Sequence, residues 1–141
     1  MPIQQISVSL DNTPGKFSEV IDYLAESEIN VIGLSVAETS DLSTVRMVTT
    51  KPQQTYNILL THGYSVKMTE VIALEAPNHP GGLDLILRPL RELSVNINYL
   101  YTCLRTGENS ILILGVDKIN EAIECLRKNQ VHVYDEELYR L

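Results

Sequence analysis

Residues 3–10 (Ile-Gln-Gln-Ile-Ser-Val-Ser-Leu) alternate apolar and polar side chains toward their end, the two-residue period of a half-buried strand. The period then lengthens. Phe17, Val20, Ile21, Leu24 and Ala25 recur at helical spacing, behind Thr13 as a helix N-cap and Pro14 at the first helical position. Residues 29–37 and 45–50 return to strand patterning around a turn at Asp41-Leu42-Ser43, which predicts a hairpin. A second helix is predicted over 52–62, with Tyr56, Leu59 and Leu60 inward and Gly63 at its end, followed by a strand over 64–69.

The same order then recurs: strand 71–76, helix 80–93 (Leu83, Ile86, Leu87 and Leu90 inward), strand 95–104, strand 110–116, helix 118–128 (Ile119, Ala122, Ile123 and Leu126 inward) and strand 131–135. Asn12-Thr13-Pro14-Gly15 and Asn78-His79-Pro80-Gly81 mark equivalent places, 66 positions apart. One gap-free register pairs Ile6 with Ile72, Leu24 with Leu90, Asn30 with Asn96, Val45 with Ile111 and Leu60 with Leu126. That period is too long for a solenoid and suits two copies of a small domain, 1–70 and 71–141.

Each copy reads β-α-β-β-α-β, the split βαβ or ferredoxin-like unit. The predicted class is α+β: two antiparallel four-stranded sheets paired side by side, with helices on one face. Copies of this size gain by covering each other's sheet edges, so a homodimer is also expected.

The quoted residues resemble a tandem pair of ACT domains, small modules that sense amino acids. The resemblance spans nearly the whole chain. It rests on a strand ending in an Asp-x-Pro-Gly-like turn, an apolar helix and an Ile-Asn-Ile-like start to the second strand. Here these read Asp11-Asn12-Thr13-Pro14-Gly15-Lys16-Phe17 with Ile29-Asn30-Val31-Ile32, and Pro77-Asn78-His79-Pro80-Gly81-Gly82-Leu83 with Val95-Asn96-Ile97-Asn98. The resemblance implies that a free amino acid sits between such a turn and the edge strand of a paired domain. The candidate ligand-binding residues are then Asn12, Gly15, Lys16, Phe17, Asn30, Val31 and Ile32 in the first copy, and Asn78, Gly81, Gly82, Leu83, Asn96, Ile97 and Asn98 in the second.

The residues carry a physical case of their own. Glycine at a helix start exposes backbone N–H donors at the positive end of the helix dipole, which favours a carboxylate. Asparagine offers a donor and an acceptor to an ammonium and carboxylate. Asn12 with Asn30, or Asn78 with Asn96, supply that mixture if the turn lies beside the second-strand start of a neighbouring copy. The bland alternative has each Asn initiating a turn or marking a bend. The copies differ: Asp11 and Lys16 face Pro77 and Gly82, and Asn98 replaces Ile32, so two sites would differ in affinity. Lys16 either repels an ammonium or supports a carboxylate. His79 either touches ligand or is solvated. Tyr99 and Tyr101 form either an aromatic wall or a packed pair.

The chain has 141 residues, 44% of them hydrophobic, with 18 acidic against 11 basic side chains and a net charge of −7. This suits a globular domain and argues against nucleic acid, whose phosphates need a Lys/Arg surplus. Cys103 and Cys125 have no CxxC context and read as small buried residues; His62 and His132 lack partners at ligand spacing, so no metal and no cofactor is expected. No apolar stretch reaches a membrane span, and a cytoplasmic protein is the expectation.

No nucleophile elbow, zinc-helix motif, phosphate loop or dinucleotide fingerprint occurs, so the chain is read as a non-enzyme. The leading expectation is a regulatory module binding a free amino acid at the interface of two ACT-like repeats. The alternative is a regulatory or interaction subunit of an amino-acid biosynthetic enzyme, similar to the small subunit of acetolactate synthase; an enzyme of unrecognised chemistry is a third, weaker reading.

Overall fold

A computed structural model describes residues 2–39, 41–77, 79–103 and 109–140. Two compact units divide the chain, Gln4–Thr69 and the part from Glu70 onward together with the first few residues. The first contains β1 (Ile3–Asp11), α1 (Lys16–Glu26), β2 (Val31–Glu38), β3 (Leu42–Thr49), α2 (Pro52–Thr61) and the start of β4 (Ser65–Pro77). The second contains the rest of β4, α3 (Gly82–Glu92), β5 (Ile97–Thr102), β6 (Asn109–Val116), α4 (Ile119–Lys128) and a 3-10 turn at Glu136–Arg140.

In the first unit the strand order is β2-β3-β1-β4, with β3 antiparallel to both β1 and β2. Every second residue of β1, from Ile6 through Val8 to Leu10, joins Val45 and Met47 of β3 beneath Val20 and Leu24 of α1 and Leu59 of α2. Both helices therefore lie on one face of the sheet. The second unit repeats this with order β4-β6-β5, where Ile72, Leu74 and Ala76 join Leu112 and Leu114 beneath Ile86, Leu90, Ala122 and Leu126. The fold is α+β, with two ferredoxin-like repeats.

The duplication extends to irregular backbone. The helix-entry glycines Gly15 and Gly81 are left-handed at φ 87° and 82°, and Glu28 and Ser94, at φ 58° and 55°, both follow a helix end. A β-bulge interrupts β2 between Val31 and Gly33, and another interrupts β5 between Ile97 and Tyr99.

Several expectations need correction. The gap-free register fails after β5: Met47 faces Ile6 as Leu114 faces Ile72, and Val45 faces Val8 as Leu112 faces Leu74. From β3 onward the copies are therefore 67 apart, with one extra residue between β5 and β6. Val45 corresponds to Leu112 rather than Ile111, and Leu126 to Leu59 rather than Leu60, which is 51% exposed. The strands predicted at 64–69 and 71–76 are one strand, β4, which continues through Thr69 and Glu70 without a turn residue although the alternation breaks there. The strand predicted at 131–135 shrinks to a bridge between Val133 and Leu74, held by Tyr134 N–H to the Ala73 carbonyl at 2.8 Å and Glu75 N–H to the His132 carbonyl at 3.0 Å. Thr13 and Pro14 lie before the helix rather than in it: Thr13 N–H donates to the Asp11 carbonyl at 2.8 Å, and Gly15 caps α1. Residue 104 of the strand predicted at 95–104 lies outside the described residues.

The corrected register separates two adjacent leucines. Leu59→Ala removes a fully buried side chain and is expected to cost about 2–5 kcal/mol, whereas Leu60→Ala should change stability by less than about 0.5 kcal/mol. Urea unfolding of both variants checks this; equal losses would restore the gap-free register.

Candidate functional site

The turns after β1 and β4 open onto the N-termini of α1 and α3, and neither helix start has a side-chain cap. The first-turn N–H groups therefore keep the partial positive charge of a helix end uncovered by a local side chain. At Gly15 and Gly81 an added Cβ would meet nothing within 4 Å, so left-handed backbone rather than crowding calls for glycine there. Gly82 differs. Its Cβ would lie 2.2 Å from the Pro77 carbonyl oxygen, so this glycine lets the end of β4 pack against α3. The first copy has Lys16 at that position.

In the first unit this turn borders a cavity of ≈ 590 Å³ that brings together Asp11, Lys16, Glu19, His62 and Tyr64. Tyr64 donates its phenol hydrogen to the Glu19 carboxylate. Tyr23 supports the cluster, stacked on His62 with centroids 3.8 Å apart and edge-on to Tyr64 at 6.3 Å. Partial burial, reinforced by the Glu19 carboxylate, pushes the Tyr64 phenol well above its ordinary value of 10.0. The cavity thus presents two carboxylates and one ammonium, the charge mixture that complements a zwitterion.

The equivalent cavity of the second unit is ≈ 370 Å³ and has lost that character. Pro77, Leu85 and Val131 stand where the first unit has Asp11, Glu19 and Tyr64. A separate cavity of ≈ 430 Å³ borders the second turn, lined by Pro77, His79, Pro80 and Leu83, with His79 Nδ1 2.9 Å from the Pro80 carbonyl oxygen. Asn78 lies outside the described residues.

The second-strand starts are elsewhere. Asp11 pairs with Leu42 and Glu38 with Ser43, whereas Val31 pairs with Thr49, so Asn12 and Asn30 stand at opposite ends of the same sheet. The length of β3 separates them by about 23 Å at ~3.3 Å per residue. Pro77 opposite Asn109, and Ile97 opposite Val116, place the second turn and Asn96 at opposite ends likewise. Neither unit unites its own turn with its own second-strand start.

Asn30 marks the entry to β2, its N–H 3.2 Å from Thr50 Oγ1 and its carbonyl accepting Thr50 N–H at 3.0 Å. Phe17 and Val31 pack on the first core, Ile97 packs on the second, and Ile32 is buried. Their contribution to a ligand would be shape. Asn96 donates through Nδ2 to Asn98 Oδ1 at 2.7 Å, and its N–H reaches Asp117 Oδ1 at 3.0 Å. It lines a cavity of ≈ 520 Å³ with Arg88 and Arg91.

Glu19, Tyr64, Arg88 and Arg91 escaped sequence reasoning, and His62, read there only as lacking partners at metal-ligand spacing, lines the first cavity. Glu19 and Tyr64 are 45 residues apart, and only the helical face of Glu19 and the turn at Gly63 hinted at proximity. Tyr99 and Tyr101 do form a pair, with centroids 6.5 Å apart, and the Tyr99 ring lies directly over Gly115. Both cysteines are free and buried, and burial pushes the Cys103 thiol up to about 11. Among the described residues, no three His, Cys, Asp or Glu side chains gather to hold a metal, and no helix is long and apolar enough to cross a membrane.

A family model described as an ACT domain pair matches residues 1–141. The crystal structure of protein BT0572 from Bacteroides thetaiotaomicron is similar at a TM-score of 0.94 with 29% identity, covering 100% of this chain and 98% of that one. The ligand-free regulatory subunit of aspartate kinase from Thermus thermophilus is similar at 0.68 with 15% identity, covering 92% and 93%. A structure of aspartokinase alpha and beta subunits follows at 0.61 with 21% identity, covering 89% and 90%. A comparison of the sequence with curated proteins found no match.

Two outcomes follow from this geometry. Gly82→Ala should destabilise the protein by about 1–3 kcal/mol, since backbone must move to admit the methyl group; a neutral result in chemical denaturation would refute the close approach. The Tyr64 effect has a definite sign. Its folded-state pKa is raised, so above pH 10 the unfolded chain releases a proton that the folded chain retains, and stability is lost as pH rises. The stability advantage of wild type over Tyr64→Phe should therefore be constant at neutral pH and shrink above about pH 10, as read by unfolding at a series of pH values.

Proposed function

The chain belongs to the ACT domain pair family, and we propose that it is a non-catalytic regulatory module that binds a free amino acid through its two ACT-like domains, 1–70 and 71–141. The observation that carries this reading is the uncapped, glycine-opened helix start present in both repeats, which in the first repeat adjoins a cavity holding Asp11, Glu19 and Lys16. A carboxylate is favoured at such a helix start, and an ammonium beside the two acids.

The second-strand starts complete the site from a neighbouring copy. Asn30 and Asn96 stand at the far ends of their own sheets, so no turn meets its own strand start. On this reading binding and association are coupled: a ligand that needs groups from two copies favours the paired state by its differential affinity for it. A homodimer is the simplest assembly that meets this need. The fold is also that of the regulatory subunit of aspartate kinase from Thermus thermophilus, and control of a catalytic chain is one output such a module can have.

Thermal melting against each of the twenty amino acids tests the proposal. At a hundred times its dissociation constant, a ligand adds about 2.7 kcal/mol, a rise of roughly 5–10 °C for a chain of this size. A selective rise that Asn12→Ala or Lys16→Ala reduces supports the sensor. A flat panel overturns amino-acid binding and leaves the alternative, a regulatory subunit recognised by its partner enzyme.

A further inference from the structure

The cavity of ≈ 520 Å³ between the end of α3 and the start of β5 gathers Asp84, Arg88, Arg91, Ser94 and Asn96. Its charges are unevenly used. Arg88 is paired with Asp84 one helical turn away, whereas the Arg91 side chain makes no hydrogen bond or ion pair among the described residues. Around the rim, Asp117 accepts the Asn96 N–H at 3.0 Å, and Lys118 Nζ lies 3.4 Å from the Ser94 carbonyl oxygen. Asp84 pairs with Arg88, Asp117 is held by the Asn96 N–H and Lys118 by the Ser94 carbonyl, which leaves the Arg91 guanidinium without a side-chain partner among the described residues.

A cation in the last turn of a helix is favoured by the helix dipole wherever it stands. Arg91 does more than occupy such a position, because it lines the same cavity as Asn96. A planar guanidinium offers parallel N–H donors that match the two oxygens of a carboxylate, and amide side chains beside it add further donors.

The first repeat lacks this arrangement. The positions 66 residues earlier than Arg88, Arg91 and Ser94 are Asp22, Ala25 and Glu28, all exposed, so acids precede the start of β2 where two arginines precede the start of β5. An anion at Asn30 would meet like charges.

We propose that Arg91, together with Asn96, anchors the carboxylate of the bound amino acid at the start of β5, and that the start of β2 does not bind a carboxylate. Each chain then holds one carboxylate ligand at this type of half-site, and its orientation is set: the carboxylate lies between Arg91 and the helix start of the turn that completes the site, with the ammonium beside the acids of that turn. This assignment rests on the reading that a free amino acid is the ligand.

Calorimetric titration of the full chain with the twenty amino acids, and with their carboxamides as probes lacking the carboxylate, tests it. Wild type should bind one equivalent per chain and prefer acid over amide by about tenfold or more, the range of a charge-assisted hydrogen bond. Arg91→Ala should weaken the acid about tenfold and abolish the preference, while Arg91→Lys keeps part of it. An Arg91→Ala variant that binds the acid as tightly as wild type, with the preference intact, overturns the anchor and leaves the amino-acid reading standing. Two equal sites per chain overturn the exclusion of the first repeat. No binding of any acid by wild type overturns the amino-acid reading itself, and this assignment with it.

Discussion

The pairing of two central strands under two helices is the constraint from which the rest of each unit follows. Ile6 opposite Met47 and Val8 opposite Val45 present one aliphatic face in the first unit, and Ile72 opposite Leu114 and Leu74 opposite Leu112 present it in the second. Cross-strand neighbours of this kind sit close enough to pack as a unit, and a slip of one residue would turn every one of them to the other face. That penalty explains how an added residue between β5 and β6 has been absorbed. The register of the strands was kept, and every later element moved along the chain by one.

The same pairing decides where a ligand can bind. Since β3 is antiparallel to both β1 and β2, those two strands run in the same direction, and the turn that ends one is far from the residue that begins the other. Two elements separated by only a helix in the sequence are thereby held at opposite ends of a sheet. A small ligand that needs both must recruit one of them from another copy. On the proposed reading, association is then part of recognition.

Against this shared frame the copies have diverged at their polar positions. The first turn has a cavity with Asp11, Glu19 and Lys16, organised by Tyr64 and the Tyr23–His62 stack, while the second has Pro77, Leu85 and Val131 at the positions of Asp11, Glu19 and Tyr64. Ahead of the second-strand starts the charges differ, with Asp22 and Glu28 before Asn30 and Arg88 and Arg91 before Asn96. The backbone tolerates such exchange because these side chains lie on cavity walls rather than in the two cores, where packing would restrict them. Gly82 shows the opposite case. There a carbonyl occupies the space of a side chain, and a lysine like that of the first copy has no room.

The α+β class, the duplication and the two glycine turns were legible in the sequence because they rest on local periodicity and on glycines whose backbone conformation few other residues adopt. Legibility ended where a decision needed contacts across the fold. A gap-free alignment matches Leu60 with Leu126 by residue type, and only burial shows Leu59 to be the true counterpart. The break in alternation at Thr69-Glu70 could not say whether the chain turned there, and strand patterning at 131–135 could not say that pairing would shrink to the single bridge at Val133. The Tyr64 bond to Glu19, and the cavity shared by Arg91 and Asn96, join residues with no common period. Periodicity reports which face of an element is buried; tertiary packing alone brings distant faces together and so determines which charges share a cavity.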